Sequence, residues 1–200
     1  NTLIITHYDK DHVGGADKIL EEIAVRQVIH PVYNKESKQH TQFMEALDAL
    51  PEITRYPMEI GSDMAMQSED GVRISLTAAH KPSYGKDEEN DFSLAVRLTY
   101  GDTKFLFAGD AEAPRQAELI EEGDVACDVL KVPYHGRQVS TSKKFLAAAN
   151  PKIAYITDDE EDPAHPIVIR MLEELGADVY CAKDDGDIAV VSDGKNVSVQ

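Results

Sequence analysis

His7-Tyr8-Asp9-Lys10-Asp11-His12 places four potential metal ligands, His7, Asp9, Asp11 and His12, within six residues. Imidazole nitrogens and carboxylate oxygens are the donors that zinc, manganese and iron select as divalent ions. Two further segments carry the same chemistry. Phe105-Leu106-Phe107-Ala108-Gly109-Asp110 is an apolar strand that ends by delivering a carboxylate. Asp128-Val129-Leu130-Lys131-Val132-Pro133-Tyr134-His135-Gly136 is another strand, ending in a histidine followed by glycine. If these strand ends meet at one rim of a sheet, one carboxylate there can bridge two ions about 3.5–4 Å apart, as two-metal hydrolases require.

The elements that must position these groups read as follows. Leu3-Ile4-Ile5 is a buried strand, and residues 13–20 are a turn entering a helix. Gln27-Val28-Ile29 is a strand and residues 36–50 an amphipathic helix. Residues 53–79 read as several short strands with turns at Gly61-Ser62-Asp63 and Glu69-Asp70-Gly71. Residues 92–98 and 104–108 flank a Tyr100-Gly101-Asp102 turn as a hairpin. Helices follow near 112–122 and 142–149, then a strand at 152–156, a helix at 166–175 and a closing pair of strands to Val199. Residues 81–91 and 157–164 read as loops. Strands interleaved with helices argue for layered sheets covered by helices. Neither a repeat nor a linker is visible, so residues 1–200 read as one domain.

The chain has 200 residues, 42% hydrophobic and 28% charged, enough for a sizeable core. No apolar run approaches the roughly 20 residues of a membrane span. The chain opens directly in a strand, so we expect a piece of something longer, and upstream signals carry no weight on compartment. Net charge is −17, from 20 basic and 37 acidic side chains, which repels nucleic acid at long range. Against that trend, the stretch from Lys131 to Lys144 contains Lys131, Arg137, Lys143 and Lys144 and no acid. It reads either as a basic rim that attracts phosphate within the screening length of about 8–10 Å or as a solvated helix face. Asp158-Asp159-Glu160-Glu161-Asp162 reads as a solvated loop. Cys127 and Cys181 are in no metal or redox spacing and read as two buried thiols. His30 and His40 read as structural or exposed.

Taken in order, these motifs resemble the metallo-β-lactamase superfamily, whose H-x-H-x-D-H signature is matched here with Asp9 in place of the second histidine. Within it, Asn90-Asp91-Phe92-Ser93-Leu94, Gly109-Asp110-Ala111-Glu112, Leu130-Lys131-Val132-Pro133-Tyr134-His135-Gly136, Ser140-Thr141-Ser142, Ala164-His165-Pro166 and Asp185-Gly186-Asp187 resemble the metallohydrolase domains of ComEC-like DNA-uptake competence proteins. The resemblance implies a four-layer αββα sandwich lacking the first N-terminal strands of the family. It implies that His7 and Asp9 hold one metal, that Asp11, His12 and His135 hold a second, and that Asp110 bridges them. The nucleophile would be a bridging hydroxide oriented by Asp11, so Asp11 and Asp110 are the catalytic carboxylates. The cofactor would be two divalent ions, zinc or manganese.

The family's third motif usually supplies a histidine, and His80, Asn90 and Asp91 occupy that region here. With Lys131, Tyr134, Arg137 and His165 they are candidates for supporting the ligands or touching substrate. The implied activity is that of a metal-dependent phosphodiesterase or nuclease acting on single-stranded DNA during uptake. As part of such a protein, the domain would lie on the extracytoplasmic side of a bacterial membrane. A small-molecule hydrolase of the same architecture, acting on a phosphorylcholine ester, lactone or other ester, and a non-catalytic binding module remain as alternatives.

Overall fold

The computed structural model describes residues 1–85 and 89–200. Its elements, in chain order, are β1 (Thr2–Ile4), α1 (Lys10–Val13), α2 (Ala16–Glu22), β2 (Gln27–Pro31), α3 (Lys38–Asp48), β3 (Thr54–Met58), β4 (Asp63–Gln67) and β5 (Arg73–Thr77). They continue with β6 (Ala95–Tyr100), β7 (Thr103–Phe107), α4 (Ala113–Glu122), β8 (Val129–Lys131), α5 (Ser142–Ala149), β9 (Ile153–Ile156) and α6 (Pro166–Glu174). β10 (Asp178–Cys181), α7 (Ala182–Asp185), β11 (Val190–Ser192) and β12 (Val197–Val199) complete the chain. Of the loop expected over 81–91, residues 86–88 lie outside the described residues.

Two sheets face each other. The smaller has the order β1-β2-β3, all parallel. The larger has the order β10-β9-β8-β7-β6-β5-β4. Its β4-to-β7 half is antiparallel and its β7-to-β10 half parallel, so β7 is the strand at which direction changes. Ile29 and Met58 of the small sheet pack with Leu76, Leu94 and Val96 from the large one, forming a buried seam between the sheets. The outer face of the small sheet is covered by Val13, Ala16, Leu20, Phe43 and Leu47 from the first three helices. On the large sheet, Leu106, Leu130 and Ala154 meet Leu119, Phe145, Leu146, Val168 and Leu172 from α4, α5 and α6. Helix, sheet, sheet, helix is the αββα sandwich expected from the sequence. Each fully buried Leu or Phe in these layers contributes roughly 1.5–3 kcal/mol.

Most elements lie within two residues of their expected bounds. Three assignments differ. Asp11 and His12 do not stand at a strand end but on α1, one short helical turn placed before α2. β3 leaves the neighbouring short strands and joins the small sheet. The closing strands β11 and β12 pair only with each other, while β10 extends the large sheet. No helix among the described residues is long and apolar enough to cross a membrane.

Candidate metal centre

The three ligand-bearing segments reach one edge of the sandwich. His7 follows β1, Asp110 follows β7 after Ala108-Gly109, and His135 lies in a 3-10 turn after β8. Gly109 makes the first of these turns possible. It has φ +55°, and a Cβ there would stand 2.6 Å from Ser93 Oγ, so only glycine fits. Ser93 Oγ in turn accepts the backbone N–H of Asp110 at 3.0 Å, and Leu94 N–H donates to Thr6 O at 2.9 Å. These bonds lock the Asp110 loop to the segment carrying His7.

The His135 turn is built differently. Tyr134 and His135 have φ 53° and 51°, left-handed values that side chains rarely adopt, and Gly136 follows at φ 71°. The hook points the imidazole back over the sheet edge. His135 Nδ1 lies 2.6 Å from Thr157 O, so that nitrogen carries the proton and donates. Nε2 is then the nitrogen presented to the site.

Ligand atoms from Asp11, His12, Asp110 and His135 all lie within 4.8 Å of one another. His135 Nε2 is 2.9 Å from Asp110 Oδ2 and 3.0 Å from Asp11 Oδ2. His12 Nε2 is 3.3 Å from Asp110 Oδ1 and 3.3 Å from His135 Nε2. His7 is fully buried, its Nδ1 3.1 Å from Thr6 Oγ1, its Nε2 without a hydrogen-bond partner among the described residues and 4.0 Å from Asp110 Oδ2. Converging lone pairs and carboxylates repel unless a cation lies between them, and a buried, unpartnered imidazole nitrogen is costly. The donor set therefore fits a divalent ion, and the carbonyl of Thr157 is the kind of outer partner that fixes a ligand histidine.

Electrostatics agree with that fit. Burial, with the neighbouring His12, pushes His7 down to about 4, so it is a neutral imidazole at ordinary pH. Burial opposes the charge on Asp110, but the adjacent His12 and His135 rings and the Lys131 ammonium outweigh it and hold the carboxyl well below its usual range. The Asp110 carboxylate in turn raises His135 against the effect of burial. Lys131 Nζ lies 3.3 Å from Asp110 Oδ1 and 3.2 Å from Gly109 O.

Other expected residues divide. Asp9 lies outside the four-residue cluster, with its Oδ1 2.9 Å from Lys35 Nζ. Asn90, Lys131, Tyr134 and Arg137 line the cavity of about 660 Å³ above the cluster. Arg137 lies over the Tyr134 ring and is paired with Asp162. His80 is not among the lining residues. It faces Glu122 at 3.4 Å and Asp63 at 3.9 Å, because the end of β5 carries it toward α4 and away from the cluster. His165 is a helix cap: its Nδ1 accepts Ile167 N–H at the start of α6. Asp91 is buried and accepts the N–H groups of Glu112 and Arg115, capping α4. Lys143 and Lys144 are exposed on α5 and absent from the cavity lining, so the basic rim reduces to Lys131 and Arg137, each already paired with an acid. The acidic run is not simply solvated. Asp158 is buried, accepting from Ala164 and Lys183 backbone N–H groups, and Asp159 and Asp162 join it in the cavity wall.

His30 bonds the Tyr8 hydroxyl at 2.7 Å and His40 Nδ1 lies 2.8 Å from Lys35 O, so both serve the fold. Cys181 is buried, Cys127 only partly, and neither is in a disulfide. Sequence reasoning missed Lys35 and the Thr157 carbonyl. A lysine in a loop carries no pattern, and a backbone oxygen leaves no trace in residue type.

The metallo-beta-lactamase superfamily profile matches residues 1–156, and the chain belongs to that superfamily. With the His/Asp cluster, this defines its class as a metal-dependent hydrolase domain. Among characterised sequences it is similar to ComE operon protein 3 of Bacillus subtilis (strain 168), 25% identical over 196 residues, covering 94% of this chain and 24% of that protein. It is also similar to Recombination protein 2 of Haemophilus influenzae, 27% identical over 161 residues, covering 80% of this chain and 18% of that one. The chain thus spans a quarter or less of these relatives. Among solved structures, Igni18, a metallo hydrolase from Ignicoccus hospitalis, superposes with TM-score 0.61 at 17% identity, covering all of this chain and 79% of that one. CmlA, a diiron β-hydroxylase from Streptomyces venezuelae, gives TM-score 0.54 at 16% identity, covering 89% and 42%. These two likenesses bear on the fold.

Proposed function

We propose that the domain is a metal-dependent phosphodiesterase whose substrate is a single DNA strand. The observation that carries this reading is the convergence of Asp11, His12, Asp110 and His135 beside the Lys131 ammonium. Asp11, His12 and His135 would hold one ion and His7 and Asp9 a second, with Asp110 contributing to the same centre. Zinc and manganese are both suited to this donor set. Such ions supply Lewis acidity and lower the pKa of water.

The chain's own residues do the rest. Asp11, whose side chain is 59% exposed, faces the open side of the cluster and orients the attacking water. Lys131 sits where it offsets negative charge on a phosphoryl oxygen. Tyr134 lines the same cavity, within reach of a leaving oxygen as a hydrogen-bond donor. The Thr157 carbonyl keeps His135 in the tautomer that leaves Nε2 free to coordinate. The choice of DNA rests on the similarity to competence proteins, and any location beside a membrane rests on the same ground.

A second reading, a hydrolase of small esters, is favoured by Asp158, Asp159 and Asp162 in the cavity wall, which repel a polyanion. Incubation of the metal-loaded protein with single-stranded DNA and, separately, with a chromogenic phosphodiester separates the two. We expect metal-dependent cleavage of both, lost in Asp110→Ala. Turnover of small esters with intact DNA supports the second reading, and bound metal without any turnover overturns both.

A further inference from the structure

The cavity above the cluster has a neighbour. A second cavity, of about 700 Å³, opens beyond Asp9 and Asn90, and these two residues line both. The wall of the second cavity is aromatic and apolar. Tyr33 and Phe92 stack with ring centroids 5.1 Å apart and an angle of 16°. Tyr84 meets Phe92 edge-on at 5.6 Å, bracing the stack from behind. Ile60, 40% exposed, and Pro82 complete the apolar surface.

Charge decides what this cavity can hold. Among the described residues, the lining includes Asp9 and Glu89 and no cation, and the nearby Lys35 ammonium is already shared between those two carboxylates. Against this lining a phosphate would meet rings and carboxylates, which disfavours it, whereas a neutral planar group is accommodated. It gains an aromatic wall and, at the rim, the amides of Asn34 and Asn90. Asn90 is oriented: its Nδ2 donates to Glu112 Oε1 at 2.8 Å, and its Oδ1 is buried. Carboxylates beside an aromatic wall match a flat ring bearing N–H donors.

We propose that the second cavity is a nucleobase subsite. The base next to the scissile phosphate lies against the Tyr33–Phe92 wall while its phosphate sits by Lys131. The shared residues Asp9 and Asn90 make the two cavities direct neighbours. The assignment of the phosphate rests on the phosphodiester reading above, whereas that of the base rests on the second cavity.

The test is binding, measured by fluorescence anisotropy with the metal-loaded protein and a labelled single-stranded tetranucleotide whose phosphorothioate linkages resist cleavage. The comparison strand has the same backbone without bases. Loss of a stacked base weakens binding about tenfold or more, so the base-bearing strand should bind at least that much tighter. Ile60→Asp, at an exposed wall position, should erase the difference between the strands. Equal affinities in the wild type, an unchanged ratio in Ile60→Asp, or no detectable binding of either strand overturns the subsite. Turnover of a chromogenic phosphodiester judges the catalytic reading separately, because that substrate carries no base.

Discussion

Lys35 Nζ lies 2.9 Å from Asp9 Oδ1, and the same ammonium pairs with Glu89. A residue expected to ligate metal is thus held by a side-chain cation contributed from the loop before α3. The lysine is only 15% exposed, so the pair is partly shielded from solvent. Lysine and metal compete for one carboxylate. Lys35→Met is expected to raise affinity for manganese about two- to fivefold, the range that a partly screened ion pair of about 1 kcal/mol or less allows. Competition with a fluorescent chelator reads this directly, and an unchanged or weakened affinity would show that Asp9 takes no part.

Among the described residues, Asp110 is the one carboxylate touched by His12, His135 and Lys131 together. Replacing it with alanine removes the shared acceptor and leaves the largely buried Lys131 without its carboxylate partner. We expect Asp110→Ala to lose at least one bound metal by elemental analysis and to lower turnover about 10²- to 10³-fold or more. Retention of full metal content would remove Asp110 from the ligand set.

Asp91 gives a pH signature independent of the metal. Burial pushes its carboxyl up to about 6, against the pull of the Arg115 and Glu112 N–H groups. The folded value lies above the unfolded one of about 3.9, so the protonated acid favours the fold. That contribution is complete below about pH 4 and is lost as pH rises through about 6. Asp91→Asn keeps an acceptor for the α4 cap and removes the titration. In urea unfolding, the wild type should lose about 2–3 kcal/mol relative to Asp91→Asn between pH 3.5 and 7. Parallel curves for the two proteins would contradict it.

Gly109→Ala tests the turn that delivers Asp110. The added Cβ falls 2.6 Å from Ser93 Oγ at a left-handed φ of +55°. We expect a loss of about 1–3 kcal/mol in denaturant midpoint measurements and weaker metal binding, because relief of the clash moves the adjacent carboxylate. Unaltered stability would mean that the turn adapts freely.

The layers of the fold were legible because apolar periodicity and turn residues agree along this chain, as at the Tyr100–Thr103 hairpin between β6 and β7. The convergence of His12, Asp110 and His135 was foreseen from ordered motifs, since strand-terminal glycines mark where backbone must turn back on itself. Partners set by long-range packing stayed hidden. Nothing near Asp9 announces Lys35, 26 residues away. His80 and His165 looked like site residues because histidine in a loop resembles a ligand, yet their neighbours make one an ion-pair partner and the other a cap. Asp158 lay inside an acidic run whose composition signals solvent, while its two backbone donors bring it indoors.

The donors of the cluster come from both halves of the sandwich. His7, Asp11 and His12 follow the first strand of the small sheet, and Asp110 and His135 follow strands of the large one. An ion held by Asp11, His12, Asp110 and His135 would be a staple across the seam formed by Ile29, Met58, Leu76 and Val96. Occupancy and mechanical integrity are then one equilibrium, so each tenfold excess of free metal over its dissociation constant adds about 1.4 kcal/mol to the resistance of the two halves to parting.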